Sequence, residues 1–426
     1  MRMDALLRAL RNGEFDKRLR EIYPAQPLDA PRAHIAAVVE GFRAAFPGSE
    51  EREIMIYAAP GRTELLGNHT DHQGGCVLAA AVQLDTIACV AVNEKEVVRI
   101  HSKGHVPVVL STGDLAAREE ERGHAAALVR GVAAGLHKRG AVLRGFDAYT
   151  ETQVLRGGGL SSSAAFEVLV GAIMNDLSHG GMDAVEIAKL GQWAENVYYG
   201  KPCGLMDQMA SAVGGVIGID FADAAAPKVR SCRFDWEREG YTLVLVNSGA
   251  DHAELDAQYA AIPRQMRQIA SALGGELLSQ TKEEDFLSRR AELAALYGRR
   301  AANRAAHYYA ETNRAVQGFA AAEEGNMREF LALSRASACS SEELLENITL
   351  DRPGGDRLKH AIDLARRAAG EEGAARVHGG GFAGTAQAWV PTARLETFIC
   401  EVEAGFGAGS CLVVHPRSVG AGRIIG

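Results

Sequence analysis

Paired cysteines are absent from this chain of 426 residues. Its seven cysteines are scattered and no two form a CxxC pair, so we expect neither a disulfide framework nor a structural zinc site. Dense runs of Lys and Arg are also missing, and the formal net charge is -8. This charge balance argues against a nucleic-acid partner, because such binding needs a basic surface.

Long uninterrupted apolar runs are lacking as well. The longest apolar region, Cys76–Val92, is broken by Gln83 and Asp85, which argues against a membrane span. Charged residues recur every few positions in residues 1–23, so we expect neither a signal peptide nor an anchor. We therefore predict a cytoplasmic protein with no membrane partner, and we expect it to be a monomer.

Helical and strand patterns are mixed along the chain, which predicts an α+β protein in two halves. Apolar spacing favours a helix over 32–46, whereas the alternation in Phe146–Val154 is typical of a half-buried strand. The polar segment 222–240, which carries Pro227, is a plausible boundary, and we divide the chain into domains 1–225 and 226–426.

A glycine-rich loop lies between a predicted strand and a predicted helix. Its members are Gly157, Gly158, Gly159, Leu160, Ser161, Ser162 and Ser163. Glycines let the backbone approach a bulky anion, and the start of the following helix directs free N–H groups at it. The loop lacks the lysine of a Walker A motif. A nucleotide triphosphate fits this chemistry, and the alternative is a surface turn with a serine N-cap.

A second glycine run spans 379–384 and formally matches GxGxxG. A dinucleotide fingerprint must open a helix, but here a strand-like segment follows, so the Rossmann interpretation fails. We expect a hairpin-like turn that packs close to the first loop.

Two further segments carry polar chemistry. Residues 62–72 hold Arg62, His69, Asp71 and His72, which would suit a metal site, a cradle for sugar hydroxyls, or a hydrogen-bonded loop. Glu195 and Asp207 flank a Pro/Gly break between two predicted helices. Asp207 lies among apolar residues, so it is a candidate base or metal ligand rather than an ordinary solvated carboxylate.

In order and spacing, the strings APGR, HTD, GGGLSSSAA and GGGFAG resemble the signatures of the GHMP small-molecule kinases. The match covers nearly the whole chain, and HTD with CGLMDQ resembles the galactokinase family in particular. The resemblance implies a ribosomal-protein-S5-like N-terminal domain, a ferredoxin-like C-terminal domain, and ATP-dependent phosphorylation of the anomeric hydroxyl of a galactose-like sugar.

The resemblance also implies residue roles. Asp207 would be the base toward the sugar O1 hydroxyl, and Arg62 would stabilise that oxygen and the transferring phosphoryl group. The sugar-binding residues would be Asn68, His69, Asp71, Gly204 and Tyr259. The ATP-binding residues would be Gly157, Gly158, Gly159, Leu160, Ser161, Ser162, Ser163, Gly380 and Gly381. The implied ligands of Mg²⁺ are Ser162, Ser163 and Glu195.

The chain departs from the family pattern on the sugar side. The family has Glu at the position of Asn68, Asn at the position of Glu64, and Tyr at the position of His72. If Glu64 and Asn68 share a helical turn, the exchange would conserve a hydrogen-bond network. Alternatively, Asn68 would favour a sugar acid such as galacturonate.

Two other classes of function stay open on the sequence alone. A non-catalytic sugar sensor would lose part of the serine loop, whereas this chain keeps the loop and Asp207. A metallohydrolase built on His69, Asp71 and His72 would leave both glycine loops unexplained. The kinase hypothesis accounts for the most segments.

Overall fold

The computed structural model describes residues 1–25, 27–154, 159–223, 225–250, 255–352 and 354–426. Its α-helices are α1 (Met3–Arg11), α2 (Asp16–Ile22), α3 (Asp29–Ala45), α4 (Ala125–Lys138), α5 (Ser162–Leu177), α6 (Ala184–Ala194), α7 (Met206–Val213), α8 (Asp256–Ala272), α9 (Glu283–Tyr297), α10 (Arg299–Glu323), α11 (Met327–Ser340), α12 (Arg357–Ala369) and α13 (Leu395–Phe406). Its strands are β1 (Met55–Leu66), β2 (Cys76–Val92), β3 (Val97–Ser102), β4 (Val108–Ser111), β5 (Phe146–Thr152), β6 (Val216–Asp220), β7 (Lys228–Cys232), β8 (Tyr241–Asn247), β9 (Ala374–Val377), β10 (Thr385–Pro391), β11 (Cys411–Val414) and β12 (Gly422–Ile425).

The larger sheet has eight strands, in the order β12-β1-β2-β5-β3-β4, with β6 joined to β2 and β7 joined to β6. Strand β2 is long because its first part pairs with β6 and its last part with β5. Side chains alternate between the two faces of β1, so that Tyr57 packs with helices α4 to α6 while Ile56 packs with α1 to α3. Both faces of this part of the sheet are therefore covered.

The smaller sheet is antiparallel, in the order β11-β8-β10-β9. Val244 and Ala388 on one face pack against α12 and α13. Leu243 and Trp389 on the other face join an apolar cluster that also contains Leu66 of β1. This shared core packs the smaller sheet against the larger one.

Several predicted elements are confirmed, including the helix over 32–46 as α3 and the strand over Phe146–Val154 as β5. The interrupted apolar region Cys76–Val92 is the buried strand β2. In the described part of the chain, no helix is both long and apolar enough to cross a bilayer. The domain division at residue 225 stays a prediction, and β7 and β12, which follow it, pair into the larger sheet.

Candidate active site

The predicted phosphate loop, of which 159–163 is described, leads directly into helix α5, while Gly157 and Gly158 lie outside the described residues. Leu160 is buried in the core, and its carbonyl accepts a hydrogen bond from the N–H of Arg62 at 3.1 Å. Ser161 has a left-handed backbone (φ 59°) and precedes Ser162, the first residue of α5. The partly exposed Ser162 and Ser163 therefore form the first turn of a helix, where free N–H groups favour an anion.

Arg62 and Asp207 form a two-pronged ion pair beside this loop. The Nε and one terminal nitrogen of Arg62 each donate to a carboxylate oxygen of Asp207 at 2.7 Å. The remaining terminal nitrogen of Arg62 donates to the carbonyl of Gly159, and the hydroxyl of Ser161 donates to Asp207. The Ser161 hydroxyl thus connects the loop to α7. It does not cap α5, which the alternative of a turn with a serine N-cap required.

The pKa of Asp207 is lowered from its ordinary value. Burial alone would raise the pKa, but the charge of Arg62 and the hydrogen bonds from Arg62 and Ser161 outweigh it. The carboxylate is therefore ionised at neutral pH. About a third of the side chain remains accessible (29%), which leaves room for a substrate hydroxyl.

His69 and Asp71 lie close to this pair, since the charge of Asp207 acts on Asp71. The Nε2 atom of His69 is 2.9 Å from the carbonyl oxygen of Gly380. Asp71 packs directly against Gly204, where any Cβ would overlap its carboxylate. Desolvation raises the pKa of Asp71, and the nearby charge of Asp207 raises it further against the opposing effect of His69.

Asn68 and Glu64 are hydrogen-bonded, but they do not share a helical turn. Glu64 lies on β1, and Asn68 lies in the turn after it. The amide nitrogen of Asn68 is 3.1 Å from Glu64 Oε1 and 2.6 Å from the carbonyl oxygen of Gly379. Its amide oxygen accepts from Asn347 at 2.9 Å. Every polar atom of the Asn68 side chain is thus engaged by protein, and its role in sugar binding stays a prediction.

Helix α10 anchors the turn that carries these residues. The buried carboxylate of Glu311 accepts from the backbone N–H groups of Gly67 (3.0 Å) and Asn68 (3.4 Å). Burial opposes ionisation of Glu311, but His307 and Arg314 lower its pKa to about 2. A permanent negative charge therefore holds the start of the turn in place.

Tyr259 packs on the second glycine run. Its hydroxyl donates to the carbonyl of Gly381 at 2.9 Å, and a Cβ on Gly380 would lie 2.7 Å from the Tyr259 ring. The run connects β9 to β10, which pair antiparallel with Val377 opposite Ala386. The predicted hairpin-like turn is confirmed, and the residue before it, His378, contacts Gly159 of the phosphate loop.

Glu195 opens a π-helical turn, Glu195–Tyr199, that continues α6. Its buried carboxylate accepts from the amide of Gln208 at 3.0 Å, and the same amide nitrogen donates to Glu167 at 2.6 Å. Burial, with the neighbouring charge of Glu195, raises the pKa of Glu167 well above its ordinary value. Glu195 is hydrogen-bonded to Gln208, and its role as a Mg²⁺ ligand with Ser162 or Ser163 stays a prediction.

The alternative metal site at His69, Asp71 and His72 gains no support. Within the described ranges, no three His, Cys, Asp or Glu side chains are grouped to hold a metal ion. The rings of His69 and His72 lie 5.6 Å apart, but His69 directs Nε2 at the Gly380 carbonyl.

The sequence interpretation missed several residues that shape the site. They are Thr63, Glu167, Gln208, Asn347, Arg376 and His378. Gln208 and His378 could have been found, because Gln208 ends the quoted string CGLMDQ and His378 directly precedes GGGFAG. Glu167 carried only a weak signal, an acid among the apolar residues in the first half of helix α5.

Two family models match this chain. The galactokinase galactose-binding signature matches residues 40–92, and the N-terminal domain of GHMP kinases matches residues 127–215. The signature thus covers the turn with His69 and Asp71, and the domain covers the phosphate loop and Asp207.

Solved structures with similar folds agree with these matches. A galactokinase of Lactococcus lactis, complexed with galactose, superposes with a TM-score of 0.77 at 25% identity, covering 91% of this chain and 99% of the other. A mevalonate kinase of Methanococcus jannaschii shares the fold, with a TM-score of 0.59 at 14% identity over 85% of this chain and 98% of the other. The α+β two-domain fold expected from the resemblance is confirmed.

A galactokinase of Streptomyces coelicolor is 32% identical over 422 residues, which is 97% of this chain and 98% of that protein. The alignment therefore leaves no large part of either chain unmatched. The chain belongs to the galactokinase family.

Proposed function

We propose that this chain transfers the γ-phosphoryl group of ATP to the anomeric hydroxyl of galactose, giving galactose 1-phosphate. The observation that carries the proposal is the Arg62–Asp207 pair, bonded to Gly159 and Ser161 of the phosphate loop. It places a carboxylate acceptor and a guanidinium at the start of α5, beside the turn that carries His69 and Asp71.

The nucleotide would bind on the α5 side of the pair. Free N–H groups in the first turn of α5 and the cation of Arg62 favour phosphate oxygens there. Gly380 and Gly381 would close over this side, held by the Tyr259 hydroxyl. No lysine is needed, because Arg62 supplies the positive charge.

Galactose would bind on the other side, against Asp71 and His69. Asp71 accepts hydrogen bonds from sugar hydroxyls, and Gly204 leaves space beside it because it has no side chain. The Lactococcus lactis protein of similar fold was solved with galactose, which supports this choice of sugar.

The chemistry follows from the ionisation state of Asp207. Its carboxylate orients the O1 hydroxyl and receives the proton as the new O1–phosphorus bond forms and the bond to ADP breaks. A carboxylate with a lowered pKa is a weak base, so the proton moves late, as a loose transition state requires. Arg62 meanwhile neutralises charge on the transferring group.

Mg²⁺ fits this donor set. Mg²⁺ is usually held by one or two carboxylates together with substrate phosphates and water, so one buried acid suffices. Glu195 would supply that carboxylate, with Ser162 or Ser163, and Gln208 fixes its orientation. When bound, the ion neutralises phosphate charge.

The Glu64–Asn68 contact favours galactose over galacturonate. The pair keeps one carboxylate and one amide in hydrogen-bond contact, so the exchange of residue types leaves the local charge count unchanged. The amide of Asn68 is already engaged by Glu64 and the Gly379 carbonyl, which leaves it no hydrogen to offer a sugar carboxylate. The protein is further proposed to act as a cytoplasmic monomer.

Replacement of the acceptor tests the proposal. Asp207→Asn keeps the size of the side chain but removes the proton acceptor, so we expect kcat to fall about 10²–10⁴-fold while ATP still binds. A coupled assay with galactose and galacturonate gives the readout for wild type and variant. A fully active variant would remove Asp207 from the chemistry, and a wild type that turns over galacturonate but not galactose would replace the substrate.

A further inference from the structure

His378 is a buried histidine whose two ring nitrogens have different surroundings. It directly precedes the glycine run and only 3% of it is exposed. Nε2 lies 2.9 Å from the hydroxyl oxygen of Thr63 on β1. That oxygen also accepts a hydrogen bond from the amide of Gln387 at 2.8 Å.

These contacts determine which nitrogen carries the proton. The amide nitrogen of Gln387 can only donate, so the Thr63 oxygen is its acceptor. The described residues offer the Thr63 hydroxyl hydrogen no acceptor other than Nε2 of His378. Thr63 therefore donates to Nε2, and the hydrogen of the neutral ring lies on Nδ1.

The ring is neutral at ordinary pH. Burial, followed by the positive charges of Arg62 and Arg376, lowers the pKa of His378 to about 3. His378 is thus an uncharged donor close to Arg62 and Arg376.

The Nδ1–H group has no hydrogen-bond partner within the described part of the chain. It faces the phosphate loop, because a Cβ built on Gly159 would lie 2.7 Å from Nδ1 and 3.0 Å from Cε1. The carbonyl of the same Gly159 accepts from Arg62. A buried donor without an acceptor is rare in native proteins and points to a ligand that completes it.

We propose that His378 is a nucleotide-binding residue, whose Nδ1–H donates to a phosphate oxygen of the nucleotide bound at the loop 159–163. The inference rests on the proposed function, since it requires ATP in this cleft. Two arginines and a neutral donor together suit an anion, and the glycine at 159 lets the ring approach the loop.

Two substitutions separate the ring nitrogens. In His378→Asn the amide nitrogen can occupy the position of Nδ1, whereas in His378→Gln the amide oxygen can reach the position of Nε2 and accept the hydrogen bond from Thr63. We expect His378→Gln to weaken ADP binding roughly tenfold, the loss of one hydrogen bond to a charged group, and His378→Asn to retain the affinity within about threefold. The KM for galactose should stay unchanged in both.

Calorimetric titration with ADP and Mg²⁺ measures these affinities, with His137→Gln on the exposed surface as the matched control. Equal losses in both variants would assign His378 a purely structural role, and no loss in either would remove it from nucleotide binding. Each result overturns the proposal.

A measurement on the wild-type protein guards against variants that do not fold. In protein labelled with ¹⁵N-histidine, the Nδ1–H proton of His378 should shift downfield when ADP and Mg²⁺ are added, but not with galactose alone. An unchanged signal at saturating ADP would refute the role of His378. A wild type that binds no ADP in the titration would instead refute the proposed function itself.

Discussion

Three hydrogen bonds from one guanidinium organise the centre of the site. Arg62 holds both oxygens of Asp207 and the carbonyl of Gly159, so it fixes the carboxylate and the phosphate loop together. A lysine carries the same charge but makes a point contact and cannot bind a carboxylate with two parallel N–H groups. The shape of the cation therefore matters as much as its charge.

We expect Arg62→Lys to lower kcat by about 100-fold or more, the scale for loss of one preorganised transition-state donor. The acid limb of the pH profile should also move to higher pH. In the wild type the lowered pKa keeps Asp207 ionised, and its function is lost only as pH falls through that pKa. With the cation displaced, burial dominates, the pKa rises, and the loss begins at higher pH.

A kcat profile against pH, measured for wild type and Arg62→Lys, checks this expectation. Arg289→Lys on the exposed surface of α9 is the matched control. If the variant keeps both the wild-type kcat and the wild-type acid limb, the two-pronged contact has no part in catalysis.

At the residue level, sequence reasoning identified Arg62 and Asp207 but not the residues that hold them. A buried acid within a distinctive motif is visible in the sequence. The contact of Gln208 with Glu167 joins residues 41 positions apart, and no local pattern encodes it. The four-residue spacing of Glu64 and Asn68 suggested a helical turn, but a strand followed by a turn also brings the two together.

At the scale of elements, helices and long strands were predictable because their periodicity is local. Strands β4, β6, β7, β9 and β12 were missed, since they are short and β12 depends on the distant partner β1. Strand β1 runs through Pro60 and Gly61, and its register shifts between Pro60 and Arg62. A bulge tolerates proline, which has no N–H to donate to a neighbouring strand.

A substitution at one loop glycine should affect the KM values of the two substrates differently. A Cβ on Gly204, in the loop before α7, would overlap the carboxylate of Asp71. We expect Gly204→Ala to raise the KM for galactose roughly tenfold, because misplacing one charged hydrogen bond costs about 1.5 kcal/mol or more. The KM for ATP should stay within about twofold, because Asp71 is proposed to contact the sugar and not the nucleotide.

Initial-rate kinetics with each substrate varied in turn give both constants. Gly422→Ala is the control, since a Cβ there meets no atom within 4 Å. An equal rise in both KM values would mean that the loop before α7 serves the two substrates jointly.

At the scale of the whole molecule, buried polar contacts hold the two sheets in register. Arg376 of β9 donates to Glu64 of β1 at 2.9 Å and to the carbonyl of Leu65 at 2.6 Å. Gln387 of β10 donates to the Glu64 carbonyl at 2.9 Å. The apolar core between the sheets gives little directional preference, so these bonds fix how the second glycine run meets the phosphate loop.

Replacing Arg376 should show how far the packing of the two sheets depends on its contacts. Arg376 is fully buried, and Arg376→Met leaves the Glu64 carboxylate without its cation, which we expect to cost about 3–5 kcal/mol of unfolding free energy at neutral pH. Burial already raises the pKa of Glu64 despite Arg376, and the variant raises it further. An acid with a raised folded-state pKa favours the folded state only while it is protonated, so the stability of the variant should fall as pH rises through that pKa.

Urea unfolding of Arg376→Met at acidic and neutral pH, compared with the double variant Glu64→Gln/Arg376→Met, tests the predicted loss of unfolding free energy and its predicted pH dependence. The double variant has no carboxylate at position 64 to desolvate, so it should recover part of the stability and lose the pH dependence that the Glu64 carboxyl gives the single variant. If the single variant stays within about 1 kcal/mol of the wild type at neutral pH, the Arg376–Glu64 pair is not what holds the sheets, because loss of one partner of a buried pair has a far larger effect. The register would then rest on Gln387 and the apolar core.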